Sequence, residues 1–324
     1  MKALVEAVEL TKHFRIKKNQ IVHAVDNVSL TVHEKEIVGL VGESGSGKST
    51  LGKAILGLHD KTSGLVRYDG QELPQKYTPA DFLSGAKKMQ MIFQDPYSSL
   101  NPRMTVGEII AEGLKLHTDL NDQTIRDRVS FWLGRVGLHA DHASRYPHEF
   151  SGGQRQRIGI ARALILEPEF VVCDEPISAL DVSVQAQVVN LLDELKKSMG
   201  LTLLFIAHDL SMVRYVSDRM AVMYLGSLVE VGAANEVFFN PQHPYTQMLV
   251  GSNPEPDPKS ERNRAATPIR GEIASPINVS PGCRFAARCP KVMDECKTVT
   301  PQLISLKDVT PGSDLRQVAC HLYQ

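Results

Sequence analysis

Short apolar runs alternate with segments of helical spacing along the first 230 residues. Leu4 to Leu10 and Val22 to Val32 carry apolar side chains at alternate positions, which predicts antiparallel strands. Ile37 to Val41 is an unbroken apolar run rich in β-branched residues, typical of a buried parallel strand. Further apolar runs lie at 89–93, 170–173 and 201–207, and helical spacing at 106–116, 124–136 and 184–197. Strands that alternate with helices predict an α/β fold with a parallel sheet.

The two helical segments between residues 106 and 136 interrupt this alternation. Ile125, Val129, Trp132, Leu133 and Val136 fall on one helical face. An apolar stripe of this kind packs in a core far more often than it forms a site. We therefore expect a helical insertion in which Trp132 lies between helices.

A glycine-rich loop follows the apolar run at 37–41. Its residues match G-x-x-x-x-G-K-[ST], and Leu51 to Leu56 after it read as a helix. The glycines let successive N–H groups point inward, and the helix N-terminus favours an anion. Lys48 can then reach the β- and γ-phosphates of a nucleoside triphosphate, and the Ser49 hydroxyl can ligate Mg²⁺. The loop residues are Gly42, Glu43, Ser44, Gly45, Ser46, Gly47, Lys48, Ser49 and Thr50.

Polar side chains follow three other predicted strands, at Gln94, at Asp174 and Glu175, and at His208. Ligands of α/β sheets bind at the carboxyl ends of the strands, so we expect these side chains on the edge that carries the glycine loop. Asp174 can hold Mg²⁺ directly or through water, and Glu175 can polarise the water that attacks the γ-phosphate. Gln94 can bind Mg²⁺ and that water, while His208 can hydrogen-bond the γ-phosphate.

A second short glycine turn, Ser151-Gly152-Gly153-Gln154, opens another predicted helix. Its N-terminus is a second anion-binding site. One nucleotide cannot use both turns if the helical insertion separates them. We therefore expect two chains arranged head to tail, each turn capping the other chain's γ-phosphate, with Asp181 near that junction.

Phe14 lies at a predicted strand end shortly before the glycine loop. It could stack on a nucleotide base or fill the core, and the residues alone leave both readings open.

Composition narrows the class of protein. The 324 residues suit one large domain and a smaller one, and the net charge of −1 argues against nucleic acid as the main partner. The first residues lack a signal-peptide core, and no stretch approaches the ~20 apolar residues that span a bilayer. We expect a cytosolic protein that reaches a membrane only through a partner. Residues 254–264 are charged and proline-bearing, as in an exposed linker.

Four of the five cysteines lie in the last fifth of the chain, in the spacing C-x₅-C-x₆-C-x₂₃-C. Zinc sites usually contain a tight C-x₂₋₄-C pair, which is missing here, so an iron–sulfur cluster fits better. Zinc and unligated thiols remain alternatives. The tail has little apolar patterning, so we expect a metal to staple it in a structural role. The four residues are Cys283, Cys289, Cys296 and Cys320; Cys173, alone in an apolar strand, is expected to be a core residue.

The order of these motifs resembles the ATPase subunits of ABC transporters over about residues 4–231. The resemblance implies a P-loop NTPase with a RecA-like parallel sheet, N-terminal antiparallel strands and a helical subdomain near residues 95–165. The nucleotide-binding domain would span residues 1–235 and a tail region 236–324. By the same resemblance, Phe14 stacks on adenine. Lys35 stands where the family commonly has Gly, so that turn is expected to be less tight.

A finer resemblance lies in Phe93 to Pro102, Arg145 to Phe150, His243 to Thr246 and the cysteine tail. These look like the ATP-binding subunits of dipeptide and oligopeptide importers. That family implies a [4Fe–4S] cluster and a second, non-identical ATPase. It also implies two membrane permeases, an external solute-binding protein and a place on the cytoplasmic face of the membrane. A nickel or metal-chelate importer shares this design. A soluble ABC protein of DNA repair or translation would carry a long coiled coil or two cassettes, which this sequence lacks.

Overall fold

The computed structural model describes residues 2–178, 180–252, 275–279, 281–306 and 316–324. In chain order, the strands are β1 (Ala3–Lys17), β2 (Gln20–His33), β3 (Ile37–Val41), β4 (Ser63–Tyr68), β5 (Gln71–Glu72), β6 (Met89–Ile92), β7 (Phe170–Asp174), β8 (Thr202–Ile206), β9 (Arg219–Tyr224), β10 (Ser227–Ala233), β11 (Ile304–Ser305) and β12 (Gln317–Val318). The helices are α1 (Lys48–Ile55), α2 (Pro79–Gly85), α3 (Val106–His117), α4 (Asp122–Arg135), α5 (Gly152–Leu164), α6 (Val182–Met199), α7 (Leu210–Val216), α8 (Ala234–Phe239) and α9 (Pro244–Gly251).

The chain divides into two compact units. The first contains residues Met1–Lys76 and Ala207–Gln324. Within it, β1 pairs antiparallel with β2, as the alternation predicted, and on its other side with β4, which was not predicted. A second sheet joins β3 to β9 in parallel and continues through antiparallel β10 and β12 to β11. All five residues of β3 are buried, which confirms the predicted core strand.

The second unit contains residues Tyr77–Ile206. Its strands β6, β7 and β8 form a parallel sheet with β7 in the middle. Helices α3, α4 and α5 contact one another. The α4 stripe Ile125, Val129, Trp132 and Leu133 is buried, and Trp132 is only 2% exposed. The predicted role of Trp132 in helix packing is confirmed.

Side-chain caps explain where the helices of the second unit begin. Thr105 and Glu108 form a reciprocal capping box at the start of α3, and the Asn121 side chain accepts the N–H of Thr124 at the start of α4. At the carboxyl end of α6, Gly200 adopts a left-handed φ of 68° and donates its N–H to the carbonyl oxygen of Lys196. These local signals fix the helix ends that position the motifs.

The cysteine-bearing tail packs into the core of the first unit, which corrects our expectation that it needs a metal staple. Residues of β12 pair with β10, and Val318 is fully buried. Phe285 is 1% exposed, and its ring centroid lies 5.4 Å from those of Tyr224 and Tyr245. The tail therefore has apolar anchors that sequence periodicity did not reveal, because they are single residues inserted between elements distant in the chain.

None of the helices among the described residues is long and apolar enough to cross a bilayer. The proposed linker at residues 254–264 lies outside the described part of the chain. The domain boundary at residue 235 stays a prediction.

Truncation of Phe285 tests the apolar anchoring of the tail. We expect Phe285→Ala to lower the free energy of unfolding by roughly 3–5 kcal/mol, because it deletes a fully buried ring from the cluster with Tyr224 and Tyr245. Urea titration followed by circular dichroism measures this change.

Phe131→Ala is the matched control, since the Phe131 side chain is 58% exposed. A surface truncation should change stability by only about 0.5 kcal/mol. Equal losses for the two variants would contradict the view that Phe285 anchors the tail.

Candidate functional site

The glycine loop joins β3 to α1 in the first unit. Helix α1 begins at Lys48, and its N-cap residue Gly47 has φ 103°. Ser44 and Gly45 at the loop tip are exposed, whereas Ser46 is buried, and Ser49 and Thr50 are half-buried in the first helical turn. The predicted sequence of strand, loop and helix is thus present, with a helix N-terminus that favours an anion.

Two glycines let the loop pass close to neighbouring backbone. A Cβ at Gly42 would lie 2.1 Å from the carbonyl oxygen of Met223, and one at Gly47 would lie 1.9 Å from that of Ala24. Both residues also have left-handed φ angles, 155° and 103°. A side chain at either position would push the loop away from β2 or β9.

Lys48 is 4% exposed and its ammonium group points back into the loop. Its Nζ donates to the carbonyl oxygens of Gly42 at 2.8 Å and Glu43 at 3.0 Å. The loop therefore holds its own cation at the N-terminus of α1, where positive charge and N–H groups converge.

In the second unit, the structure brings Gln94 and Glu175 together. The Gln94 side-chain amide donates to the Glu175 carboxylate at 2.8 Å. Asp174 is the last residue of β7 and is 3% exposed, and Glu175 follows it with φ 43°. This left-handed φ is unusual for a residue with a side chain and is found at strained functional positions. It turns the backbone at Glu175 out of the strand direction.

His208 belongs to the first unit and is exposed. The preceding residue, Ala207, donates its N–H to the carbonyl oxygen of Leu40 in β3 at 3.2 Å. Asp209 then caps α7 by accepting the N–H of Met212. His208 therefore lies between Ala207, which bonds to β3, and Asp209, which caps α7.

The turn Ser151-Gly152-Gly153-Gln154 opens α5 through a reciprocal capping box. The Ser151 hydroxyl accepts the N–H of Gln154, and the Gln154 side chain accepts the N–H of Ser151. A Cβ at Gly153 would lie 2.4 Å from the Val184 side chain in the first turn of α6. Asp181, the exposed N-cap residue of α6, is close by in this packing.

Phe14 is half-buried in β1. Its ring meets His59 edge to face at 5.4 Å between centroids, and Lys12 Nζ lies 4.8 Å from its centroid. Burial and the nearby charges of Lys12 and Lys53 lower the pKa of His59.

Cys173 is fully buried in β7, as predicted, and burial raises the pKa of its thiol to about 12. The four tail cysteines form a separate group. Burial raises the pKa of Cys283 to about 11, and the charges of Cys296, Cys289 and Cys320 act in the same direction. The Cys283 N–H donates to the carbonyl oxygen of Cys296 at 2.7 Å, which brings these two positions together.

Sequence reasoning missed the surroundings of Glu43 inside the loop. Its N–H donates to the hydroxyl of Tyr245 at 2.9 Å, and its carboxylate pairs with Arg288 at 2.9 and 3.0 Å. Spacing along the chain gives no signal for contacts between residues more than 200 positions apart.

Comparison with known proteins gives two family matches. Residues 25–178 match the ABC transporter family, and residues 229–296 match the oligopeptide/dipeptide transporter C-terminal region. The oligopeptide transport ATP-binding protein OppF of Escherichia coli (strain K12) is 50% identical over 328 residues, covering 98% of this chain and 96% of that protein. OppF of Salmonella typhimurium (strain LT2) is 52% identical over 328 residues, again covering 98% of this chain and 96% of that protein. A Bacillus subtilis (strain 168) relative named YkfD is 54% identical over 322 residues, covering 99% of this chain and 96% of its own.

The chain belongs to the ABC transporter family of ATP-binding proteins. This ABC ATPase also resembles solved structures in fold. A dimeric post-hydrolysis structure of the ATP-binding cassette MJ0796, bound to ADP and Pi, has a TM-score of 0.66 and 28% identity, covering 71% of this chain and 99% of that one. CbiO1 from Clostridium perfringens, described as part of the transporter complex cbiONQ, has a TM-score of 0.66 and 27% identity, covering 74% and 92%. The predicted P-loop ABC fold is confirmed.

A methyl group at Gly47 tests the close packing of the loop. We expect Gly47→Ala to weaken nucleotide binding by at least roughly tenfold, because the loop must move away from Ala24 to relieve the overlap. Titration with a fluorescent ATP analogue measures the dissociation constant.

Gly45→Ala serves as the comparison, since a Cβ there meets nothing within 4 Å although φ is also left-handed. It carries the conformational cost without the collision, so its effect should be clearly smaller. Indistinguishable dissociation constants would show that the collision is not what matters.

Proposed function

We propose that this ABC ATPase hydrolyses ATP to power the import of oligopeptides or dipeptides through a membrane transporter. The observation that carries the proposal is the 50–54% identity to OppF and YkfD across 98–99% of the chain. The match of residues 229–296 to the oligopeptide/dipeptide transporter C-terminal region supports the same substrate class. Such similarity extends beyond the nucleotide site into the part of the chain that distinguishes transporter types.

ATP binds in this proposal with its phosphates on residues 42–50. The inward N–H groups and Lys48 attract the β- and γ-phosphates, and the first turn of α1 adds its partial positive charge. Phe14 stacks on the adenine, which its half-exposed ring supports.

In this proposal, side-chain oxygen atoms hold Mg²⁺ and a carboxylate activates the attacking water. The donors Ser49, Asp174 and Gln94 are hard oxygen ligands of the type that Mg²⁺ prefers. When bound, the ion neutralises charge on the phosphates. Glu175 accepts a proton from the attacking water, and its hydrogen bond from the Gln94 amide orients the carboxylate for that task.

Hydrolysis in this proposal requires a second ATPase subunit. His208 donates to the γ-phosphate, while the turn Ser151-Gly152-Gly153-Gln154 of one chain caps the γ-phosphate held by the other, with Asp181 beside the junction. The dimeric state in which the MJ0796 cassette was solved supports a pair of ATPase subunits. The second subunit is expected to be a non-identical ATPase.

The remaining partners follow from the proposed transport role. Two membrane permeases couple closure of the ATPase pair to solute movement, and an extracytoplasmic solute-binding protein delivers the peptide. The ATPase then sits peripherally on the cytoplasmic face of the membrane.

We further propose that Cys283, Cys289, Cys296 and Cys320 hold a [4Fe–4S] cluster. Burial raises the pKa of the Cys283, Cys289 and Cys320 thiols. Bound iron would supply the positive charge that stabilises thiolate, the form that binds metal.

Spacing along the sequence favours a cluster over a single zinc ion, because the four cysteines lack the tight C-x₂₋₄-C pair that zinc sites usually contain. Because the tail has its own apolar anchors, the cluster is an addition to a packed region.

Glu175→Gln tests the assigned base. We expect ATP binding to persist while the hydrolysis rate falls by about 10²–10⁴-fold, since the amide cannot accept the proton. The purified transporter should then accumulate in the ATP-bound closed form, and uptake of a labelled oligopeptide by cells should stop.

Asp193→Asn, which removes a surface carboxylate paired only locally with Lys197, is the control and should leave both rates unchanged. Near wild-type hydrolysis by Glu175→Gln would exclude it as the base. If wild-type cells take up labelled nickel instead of peptide, the substrate assignment fails while the ATPase assignment stands.

Cys289→Ser tests the cluster. Anaerobically purified wild-type protein should be brown and contain about four irons per chain. The variant should lose iron and colour, because serine is a poor ligand for these soft metal ions. Cys173→Ser, which changes a buried strand cysteine, should keep both. A colourless, iron-free and correctly folded wild-type preparation would refute the cluster.

A further inference from the structure

Residues 283–289 of the tail, which we call the strap, bind directly to the phosphate loop. The strap begins at Cys283 and ends at Cys289, and it carries Arg284 and Arg288 between them. The Arg288 guanidinium makes a two-pronged ion pair with Glu43, Nη1 to Oε2 at 2.9 Å and Nη2 to Oε1 at 3.0 Å. Paired N–H bonds of this fork fix direction as well as distance.

This ion pair is shielded from water on the arginine side. The Arg288 side chain is 3% exposed and the Glu43 side chain 23%. The guanidinium also lies 5.8 Å from the ring centroids of Tyr224 and Phe285. The Glu43 carboxylate raises the pKa of Arg288, because it stabilises the charged form. A charge-assisted pair with so little solvent contact is screened less by salt than a surface pair.

Glu43 links the strap to the phosphate-binding lysine. Its own N–H donates to the hydroxyl of Tyr245, so both its backbone and its side chain are held. Its carbonyl oxygen accepts from Lys48 Nζ at 3.0 Å. Arg288 is therefore one residue removed from the cation that contacts phosphate in the proposed function.

The second strap arginine holds the other side of the loop. Arg284 pairs with the Asp26 carboxylate and donates to the carbonyl oxygen of Leu225. The next residue, Gly226, donates its N–H to the carbonyl oxygen of Ser46 in the loop at 2.8 Å. Arg288 thus contacts the phosphate loop directly. Arg284 contacts it indirectly, through Leu225 and the neighbouring Gly226.

The Arg288–Glu43 ion pair also offsets a negative charge in the phosphate loop, in addition to holding the loop in place. A carboxylate at position 43 lies in a loop that must attract the phosphates of ATP, and like charges repel. Arg288 offsets that carboxylate with a buried guanidinium, so Lys48 and the helix N-terminus act on the phosphates without opposition.

We propose that the strap positions the phosphate loop and that Arg288 is a positioning residue for nucleotide binding. The proposal rests on the function proposed above, in which residues 42–50 bind ATP. By linkage, if the strap favours the nucleotide-binding conformation of the loop, bound nucleotide must stabilise the strap by the same factor. Tail and nucleotide site are therefore coupled in both directions.

Arg288→Met tests the coupling in the full-length protein. We expect its dissociation constant for a fluorescent ATP analogue with Mg²⁺ to rise about tenfold, the scale of one charge-assisted hydrogen bond. The double variant Arg288→Met with Glu43→Gln should recover most of the affinity, because it removes the uncompensated carboxylate. Failure of the second change to improve on the first would overturn the charge argument.

Hydrogen–deuterium exchange tests the reverse direction. The amides of Ala286, Arg288 and Cys289 bond to carbonyl oxygens within the strap. Added nucleotide should slow their exchange in the wild type and not in Arg288→Met. Equal slowing in both proteins, or none in the wild type despite measured nucleotide binding, would refute the coupling and leave the proposed function intact. Absence of nucleotide binding by the wild type would instead refute the proposed function.

Arg219→Met is the matched control, since Arg219 forms a similarly buried pair with Glu36 at 3.2 Å. This pair lies at the amino ends of β3 and β9, away from the loop. The Arg219→Met variant should be less stable than the wild type but should bind nucleotide with unchanged affinity. Added nucleotide should still slow hydrogen exchange of its strap amides. If Arg288→Met does not fold, Arg288→Lys keeps the charge without the fork. A smaller rise in the dissociation constant is then expected, and wild-type affinity would overturn the positioning role.

Discussion

The first unit depends on how closely the phosphate loop approaches its neighbours. Backbone carbonyls of Met223 and Ala24 lie where the side chains of Gly42 and Gly47 would otherwise stand. The loop conformation is therefore set by contact with β2 and with the end of β9, as well as by glycine freedom. Any element that shifts either neighbour also shifts the N–H groups that face an anion.

Charge balance imposes a second constraint on the same loop. Lys48 is buried and donates to the carbonyl oxygens of Gly42 and Glu43, whereas the Glu43 side chain adds a carboxylate to the same loop. A buried charge persists only with a partner, and Arg288 supplies it from the tail. The tail therefore contacts the phosphate loop directly, although the two lie at opposite ends of the sequence.

Sequence reasoning succeeded where the signal is local. Apolar patterns located β1, β2, β3, β6, β7 and β8 and helices α3, α4 and α6, but they missed β4, β9 and β10. The helix start at Ser151 follows from its capping box. Lys35 adopts a left-handed φ of 61° in a turn that the N–H of Glu36 closes on the carbonyl oxygen of His33 at 3.3 Å, and its expected looseness stays a prediction. Sequence reasoning could not find Phe285 or Arg288, because a single anchor in an irregular segment has no period, and its partners are fixed only by the three-dimensional fold.

The separation of 245 residues between Glu43 and Arg288 determines when their ion pair can form during synthesis of the chain. At ribosomal rates of about 5–20 residues per second, roughly 12–50 seconds pass between the synthesis of the two residues. During that interval the phosphate loop exists without the ion pair that fastens it. Long-range contacts of this kind form late, so a chain interrupted before its tail carries an unfinished loop. The phosphate loop thereby acquires this ion pair only after the tail has been synthesised.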